Sequence, residues 1–378
     1  MSKTMKWIIA LVVIILVVAG VWFYSSKTAT APTATGPIKI GLSAPLTGEG
    51  ASWGQNAIAA ATLAVKEVND AGGIGGRQVE LIAEDDKGTA ESVNAFNKLI
   101  NIDKVVGIVG PLASASAGPA LPLAQTAGVP VVMIASAPAL TKVGDYMFRV
   151  YPADSYQGSL GADIVFTKLA KKKVAVLFVK NDYGQGVADS FASKFTSLGG
   201  IVAYKGEIVN GTTDFRSEIA KVKASGAEAL YLAIYPEGGL ILSKQLKEAN
   251  NKLPVVGEVV LNDEKIVKSG YAEGYIFTEP KSDLSEDFVA KIKALPDYKD
   301  LSVMIAAPFT YDATKALLSA IAKTPADVSG LKIKEALSSV SFPGVSASTV
   351  EFGADREIKV PAFNIKQIKN KTVIDFAG

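Results

Sequence analysis

The 378 residues include no cysteine and no histidine. A Ser-His-Asp or Cys-His nucleophilic arrangement is therefore excluded, and an ordinary zinc site lacks its usual thiolate and imidazole ligands. Hydroxyls, carboxylates, aromatic rings and backbone groups at strand ends remain to do chemistry. Gly48-Glu49-Gly50-Ala51-Ser52-Trp53-Gly54 lies between a strand and a helix but fails as a dinucleotide fingerprint, because Trp53 stands at the third glycine position. No G-x-x-x-x-G-K-[ST] phosphate loop is present either. Trp53 then reads as an aromatic that faces a solute or as a packing residue.

Gly110-Pro111-Leu112-Ala113-Ser114-Ala115-Ser116 links an apolar strand to a helix. The first N–H groups of a helix lack intrahelical acceptors and sit at its positive dipole end, which suits a carboxylate. Ser114 adds a hydroxyl donor; the competing reading is a helix cap. At the next strand end, Met133-Ile134-Ala135-Ser136-Ala137-Pro138, the Ala135 carbonyl can accept from an ammonium group. The Ser136 N–H and hydroxyl can donate to a carboxylate; the alternative is an ordinary strand exit. Glu84-Asp85-Asp86 reads as a polar cluster closing a strand rather than a cation site, since no other ligand accompanies it.

These loops need rigid elements to hold them. Short Val/Ile/Leu runs predict buried parallel strands over 38–42, 78–83, 105–109 and 129–134. Helical spacing between them predicts helices over 54–71, 91–100 and 116–127. After Tyr151-Pro152 a second series follows, with strands over 173–179, 201–207, 229–234 and 255–257 and helices over 186–198, 215–224 and 237–250. Two successive doubly wound units imply two α/β lobes. Beyond a run at 275–277 come helices over 285–294, 303–323 and 333–339, then strands over 361–368 and 373–376.

Trp7 to Tyr24 form an uncharged apolar run of about the length that crosses a bilayer. Lys3 and Lys6 before it orient Met1 to the cytoplasm. The segment reads as a retained anchor or as a cleaved signal peptide; the Ser, Thr, Ala and Pro residues that follow read as a linker. Without Lys3, Lys6 and Lys27, the 39 basic residues fall to 36 against 37 acidic, a net charge of −1 for the exterior part. That balance argues against a nucleic-acid partner.

Several stretches in order resemble the leucine/isoleucine/valine-binding proteins of ATP-driven amino-acid importers. They are Ile38-Lys-Ile-Gly-Leu, Pro45-Leu-Thr-Gly, Val68-Asn-Asp-Ala-Gly-Gly-Ile-Gly-Gly-Arg, Glu84-Asp-Asp, Gly110-Pro-Leu-Ala-Ser, Phe148-Arg, Asp182-Tyr-Gly-Gln-Gly, Thr213-Asp-Phe and Tyr235-Pro-Glu. The resemblance implies a type I periplasmic-binding fold, two doubly wound parallel-sheet lobes joined by a multi-strand hinge, and the apolar run places an N-terminal transmembrane helix before it. The implied boundaries are residues 1–24 as anchor or signal, 25–37 as linker, 38–151 with 278–345 as the first lobe, and 152–277 with 346–378 as the second. Carried over by residue, the ligand hydroxyl falls on Ser114, and the paired acceptor and donor on Ala135 and Ser136. The aromatics fall on Trp53, Tyr183 and Tyr235, and the acid for a ligand ammonium on Glu258. Tyr311 falls to the core or rim. The resemblance further implies a monomer without cofactor or metal that captures an amino acid and docks on an ABC permease. A sensory ectodomain, or capture of a small amide or aromatic acid, is the alternative; an enzyme is not expected.

Overall fold

The computed structural model describes Met5 and residues 36–48, 50–282, 284–359 and 361–377. The expected membrane segment, Met5 apart, and the expected linker up to residue 35 lie outside the described residues. Among the described residues no helix is long and apolar enough to cross a membrane. The chain divides into two units, and the second, from Pro37, carries every sheet.

Strands β1 (Ile38–Ala44), β2 (Val79–Asp85), β3 (Ile108–Val109), β4 (Val131–Met133) and β5 (Met147–Arg149) form the first sheet. Its order is β2-β1-β3-β4-β5, and all its pairs are parallel. Alternate residues of β1, Ile38, Ile40, Leu42 and Ala44, are buried on one face of the sheet, while Gly41 on the other lies against Leu99. Strands β6 (Lys173–Val179), β7 (Ile201–Ile208), β8 (Ala229–Ala233), β9 (Val255–Glu258) and β10 (Ile276–Pro280) repeat the plan as β7-β6-β8-β9-β10. A small antiparallel pair, β11 (Ser341–Phe342) and β12 (Val350–Glu351), stands apart. Strands β13 (Phe363–Lys369) and β14 (Thr372–Asp375) extend the second sheet antiparallel beyond β10. In each sheet the strand order reverses once, between β1 and β3 and between β6 and β8, and such switch points leave a crevice at the carboxyl ends of the strands.

The chain passes between lobes three times: after Tyr151, after Pro280 and after Ile358. The helices Glu286–Lys293, Ala306–Ala322 and Gly330–Leu337 return to the first lobe. There Phe309, Ala313, Leu317 and Ile321 join the core beneath β1. The second passage follows Pro280 rather than residue 277, because β10 pairs through Pro280 with β13 and serves as its template. The third follows Ile358 rather than residue 345, because Val350, Phe352 and Ile358 complete the first core.

Arg149 ties the first and third passages together. It is fully buried, and its Nε donates to Glu357 Oε2 at 2.7 Å while its Nη2 donates to Glu357 Oε1. Its Nη1 reaches the carbonyls of Ala135 at 3.1 Å and Ala137 at 2.7 Å. A planar guanidinium presents several donors in one rigid fork, so one side chain fixes the exit of β4 against two interlobe passages.

Candidate ligand-binding cleft

In the first lobe the switch-point loops come from β1 and β3. Gly110 has φ +90°, and a β-carbon there would lie 2.1 Å from the Ser43 carbonyl oxygen, so only glycine permits this turn. The Ser114–Ala127 helix starts beyond it, with Ala113 in the extended N-cap position and no side-chain cap. Ser114 is therefore the first helical residue, and its Oγ accepts from the Ala137 N–H at 3.1 Å, which leaves its hydroxyl hydrogen for another acceptor. Ser116 instead bonds back to the Ala113 carbonyl. The strand-end acids organise neighbouring loops. Asp85 accepts from the Leu46 and Lys87 N–H groups, and Asp86 from the Ser43 hydroxyl and the Gly88 N–H. Those bonds hold the segments that carry Pro45, Trp53 and Thr89 to the cleft.

In the second lobe Asn181 caps the Asp182–Ser197 helix, its Oδ1 accepting from the Gly184 N–H at 3.0 Å. The Asn181 amide donates to the Tyr235 hydroxyl at 2.9 Å, and the Tyr183 and Tyr235 rings stack 5.7 Å apart at 10°. Glu258 ends β9 fully buried. Tyr183 donates to its Oε2 at 2.9 Å and Tyr231 to its Oε1 at 3.3 Å. Gly161 leaves the space for Tyr231, since a β-carbon there would sit 2.4 Å from that ring.

These loops enclose a cavity of about 360 Å³, at the small end of the usual range for ligand sites of about 300–1,000 Å³. The structure brings Trp53, Ser114, Ser136, Tyr183, Tyr235 and Glu258 to its wall. Ala135 is the correction. It is not on that wall, and its carbonyl already accepts from Arg149, whose buried donors need acceptors. Ser136 lines the cavity, while its carbonyl accepts from the Asp154 N–H at 2.9 Å. Tyr311 lies elsewhere, its hydroxyl bonded to Glu67 and its ring edge-on to Phe288. The two lobes meet around the cavity. A β-carbon on Gly118 would lie 3.3 Å from Asp182 Oδ2, and one on Gly186 3.2 Å from Pro138. Val259, beyond β9, packs into the first lobe's core.

Electrostatically one end is acidic. Burial pushes the Glu258 carboxyl well above the carboxylate range, and the Asp154 charge adds to this; the Tyr183 and Tyr231 hydroxyls work against it. Burial likewise lifts Asp154 to about 7, opposed by the Ser136 hydroxyl and the Arg149 charge. Neither acid is in an ion pair among the described residues. No cluster of potential metal ligands occurs among the described residues.

Sequence reasoning missed Tyr151, Gln157, Leu112, Ile134, Val259 and Val260, which also line the cavity. Gln157 belongs to a helix that periodicity does not reveal, Asp154–Asp163. Its buried face is Asp154, Gln157, Gly158, Gly161 and Ala162, with the spacing of a helix but without large apolar residues. The signal available was that polar and glycine repeat immediately after the Tyr151-Pro152 passage.

A polar-ended, apolar-walled cavity at the switch points of two sheets, between lobes joined by three passages, defines a two-lobe solute-binding protein. The chain belongs to the periplasmic binding protein family, whose model matches residues 37–372. It is 31% identical over 283 residues to an amino acid binding protein of Pseudomonas aeruginosa, covering 73% of each chain. It is 29% identical to Leu/Ile/Val-binding protein homolog 3 of Brucella melitensis, over 90% of this chain and 94% of that one. Among solved structures it is similar to the branched-chain amino acid transporter substrate-binding protein LivJ of Streptococcus pneumoniae in complex with isoleucine. That likeness has a TM-score of 0.78 and 29% identity over 89% of this chain and 97% of that one. The type I periplasmic-binding fold is thereby shown. The protein is a solute-binding component of the ABC-importer kind, not an enzyme.

Proposed function

We propose that the cleft captures an amino acid with an apolar, branched-chain-like side chain at the extracytoplasmic face of the membrane, and that the loaded form docks on an ABC permease. The observation that carries this reading is Glu258, a fully buried carboxyl on the cavity wall whose partners are phenol hydroxyls. A buried acid without a cationic partner is costly, and a ligand ammonium supplies one. Ser114 and the helix N-terminus behind it line the same cavity and provide donors for a carboxylate. Trp53, Leu112, Ile134, Tyr151 and Val259 offer apolar walls for the side chain. The names of the relatives from Pseudomonas and Brucella support the same class.

A thermal-shift and calorimetric screen of the exterior part against leucine, isoleucine, valine, small amides and benzoate tests it. Stabilisation follows the ratio of ligand concentration to Kd. Micromolar binding of an apolar amino acid is the expected outcome. Binding of benzoate or an amide with no response to any amino acid would refute the assignment.

A further inference from the structure

Three buried oxygens on the Asp154–Asp163 helix have no donor in good hydrogen-bond geometry: both carboxylate oxygens of Asp154 and Oε1 of Gln157. The two residues are three apart on one helix and therefore neighbours. Gln157 is 1% exposed and lines the cavity, whereas Asp154 lies behind that wall. The Gln157 side chain hydrogen-bonds with the Tyr151 phenol in a way that favours the phenolate, as an N–H donor does. Its amide nitrogen is thus engaged, and its oxygen is the part left over. Tyr151 also feels the charges of Glu258 and Asp154, so these groups share one end of the cavity. That end collects acceptors, and a buried acceptor left unpaired is unfavourable.

We propose that Gln157 is a ligand-binding residue whose Oε1 accepts a hydrogen bond from the ligand's ammonium group beside Glu258, with Asp154 as a positioning charge behind it. The proposal rests on the amino-acid reading above and deepens it. A primary ammonium brings three N–H donors, so the cleft would discriminate against ligands that lack one of them. Gln157 is then the residue that distinguishes a primary amino acid from its N-methyl derivative.

The test is calorimetry on the full chain with L-leucine, L-isoleucine and L-valine, their N-methyl derivatives, and 4-methylpentanoate, the deaminated analogue of leucine. In Gln157→Leu the affinity for the primary amino acid should fall by roughly tenfold or more. The preference for it over the N-methyl form should shrink, as expected for directly coupled groups. Gln157→Glu keeps an acceptor oxygen and should keep the preference for the primary amino acid over its N-methyl form. If Gln157→Leu does not fold, the Gln157→Glu variant and the N-methyl penalty in the unmodified protein carry the test; an absent penalty there overturns the proposal. Equal loss of leucine and 4-methylpentanoate in Gln157→Leu, or no loss at all, also overturns it while leaving the amino-acid reading intact. Binding of 4-methylpentanoate or benzoate with no primary amino acid by the unmodified protein overturns both.

Discussion

Ser114 from the first lobe and Glu258 from the second both line the cavity, and each makes a prediction of its own. Ser114→Ala removes a hydroxyl that has a hydrogen to give and leaves the helix N-terminus in place. Amino-acid affinity should fall by about 1.5–3 kcal/mol, the worth of a hydrogen bond to a charged group, read by calorimetry. The Ala137 N–H loses its acceptor in the same variant, so a modest fall in Tm accompanies it. Glu258→Gln keeps the shape and one acceptor for the Tyr183 and Tyr231 hydroxyls, turns the other oxygen into an NH2 donor, and deletes the charge. Affinity for an ammonium-bearing ligand should drop by about 2–5 kcal/mol, while stability of the empty protein holds or rises. Retained affinity in Glu258→Gln would rule out ammonium recognition at this residue. Ser114 could be named from the Gly110-Pro-Leu-Ala-Ser stretch because it opens a helix, whereas Glu258 came only through the family resemblance. Gln157 could not be named, since nothing local marks a glutamine as facing a cavity.

Among the elements, the segment around Arg149 couples the site to the passages between lobes. The Arg149–Glu357 pair joins residues far apart in sequence, with the arginine fully buried and Glu357 also accepting from Thr141 at 2.7 Å. Breaking a buried pair by removing one partner costs about 3–5 kcal/mol. Glu357→Leu should therefore shift the midpoint of urea unfolding by a loss of that order. Because Arg149 also holds the carbonyls of Ala135 and Ala137, the same variant should weaken ligand binding without touching the ligand. Unchanged affinity would show that the β4 exit keeps its shape without the pair. The strands and most helices were legible as apolar runs and helical spacing. The Asp154–Asp163 helix was not: it buries glycines, an acid and an amide against the Asp182–Ser197 helix, where a β-carbon on Gly158 would meet the Val187 carbonyl at 2.5 Å.

For the whole molecule, the lobes meet at Gly118 and Asp182. Gly118→Trp should prop them apart, lowering ligand affinity by about tenfold or more with little change in the Tm of the empty protein, since closure contributes only its differential contacts. Small-angle scattering should show the ligand-induced compaction reduced. The acid pair sets a pH dependence. Asp154 and Glu258 both have folded-state values above the ordinary carboxylate range, so the native state binds more protons than the unfolded chain. Stability of the empty protein should therefore fall, by a few kcal/mol at most, as pH rises from about 4 through about 7. The phenols of Tyr151, Tyr183 and Tyr231 stay protonated throughout, and Arg149 is the cation that opposes the rise of Asp154. Binding an ammonium favours the charged acids, so affinity for an amino acid should be weaker near pH 5 than near pH 8. Thermal unfolding and calorimetry across that range check both slopes.

The sequence by itself determined the class of architecture, two parallel-sheet units in succession, because buried parallel strands and their covering helices are written in local apolar patterns. It also ruled out histidine and cysteine chemistry by composition. Tertiary structure decided which strand ends face one another, that the Ala135 carbonyl serves Arg149 rather than the cavity, and where the chain leaves each lobe. Those outcomes depend on contacts between residues distant in sequence, and burial of a polar group is decided by what packs over it, which no local pattern records.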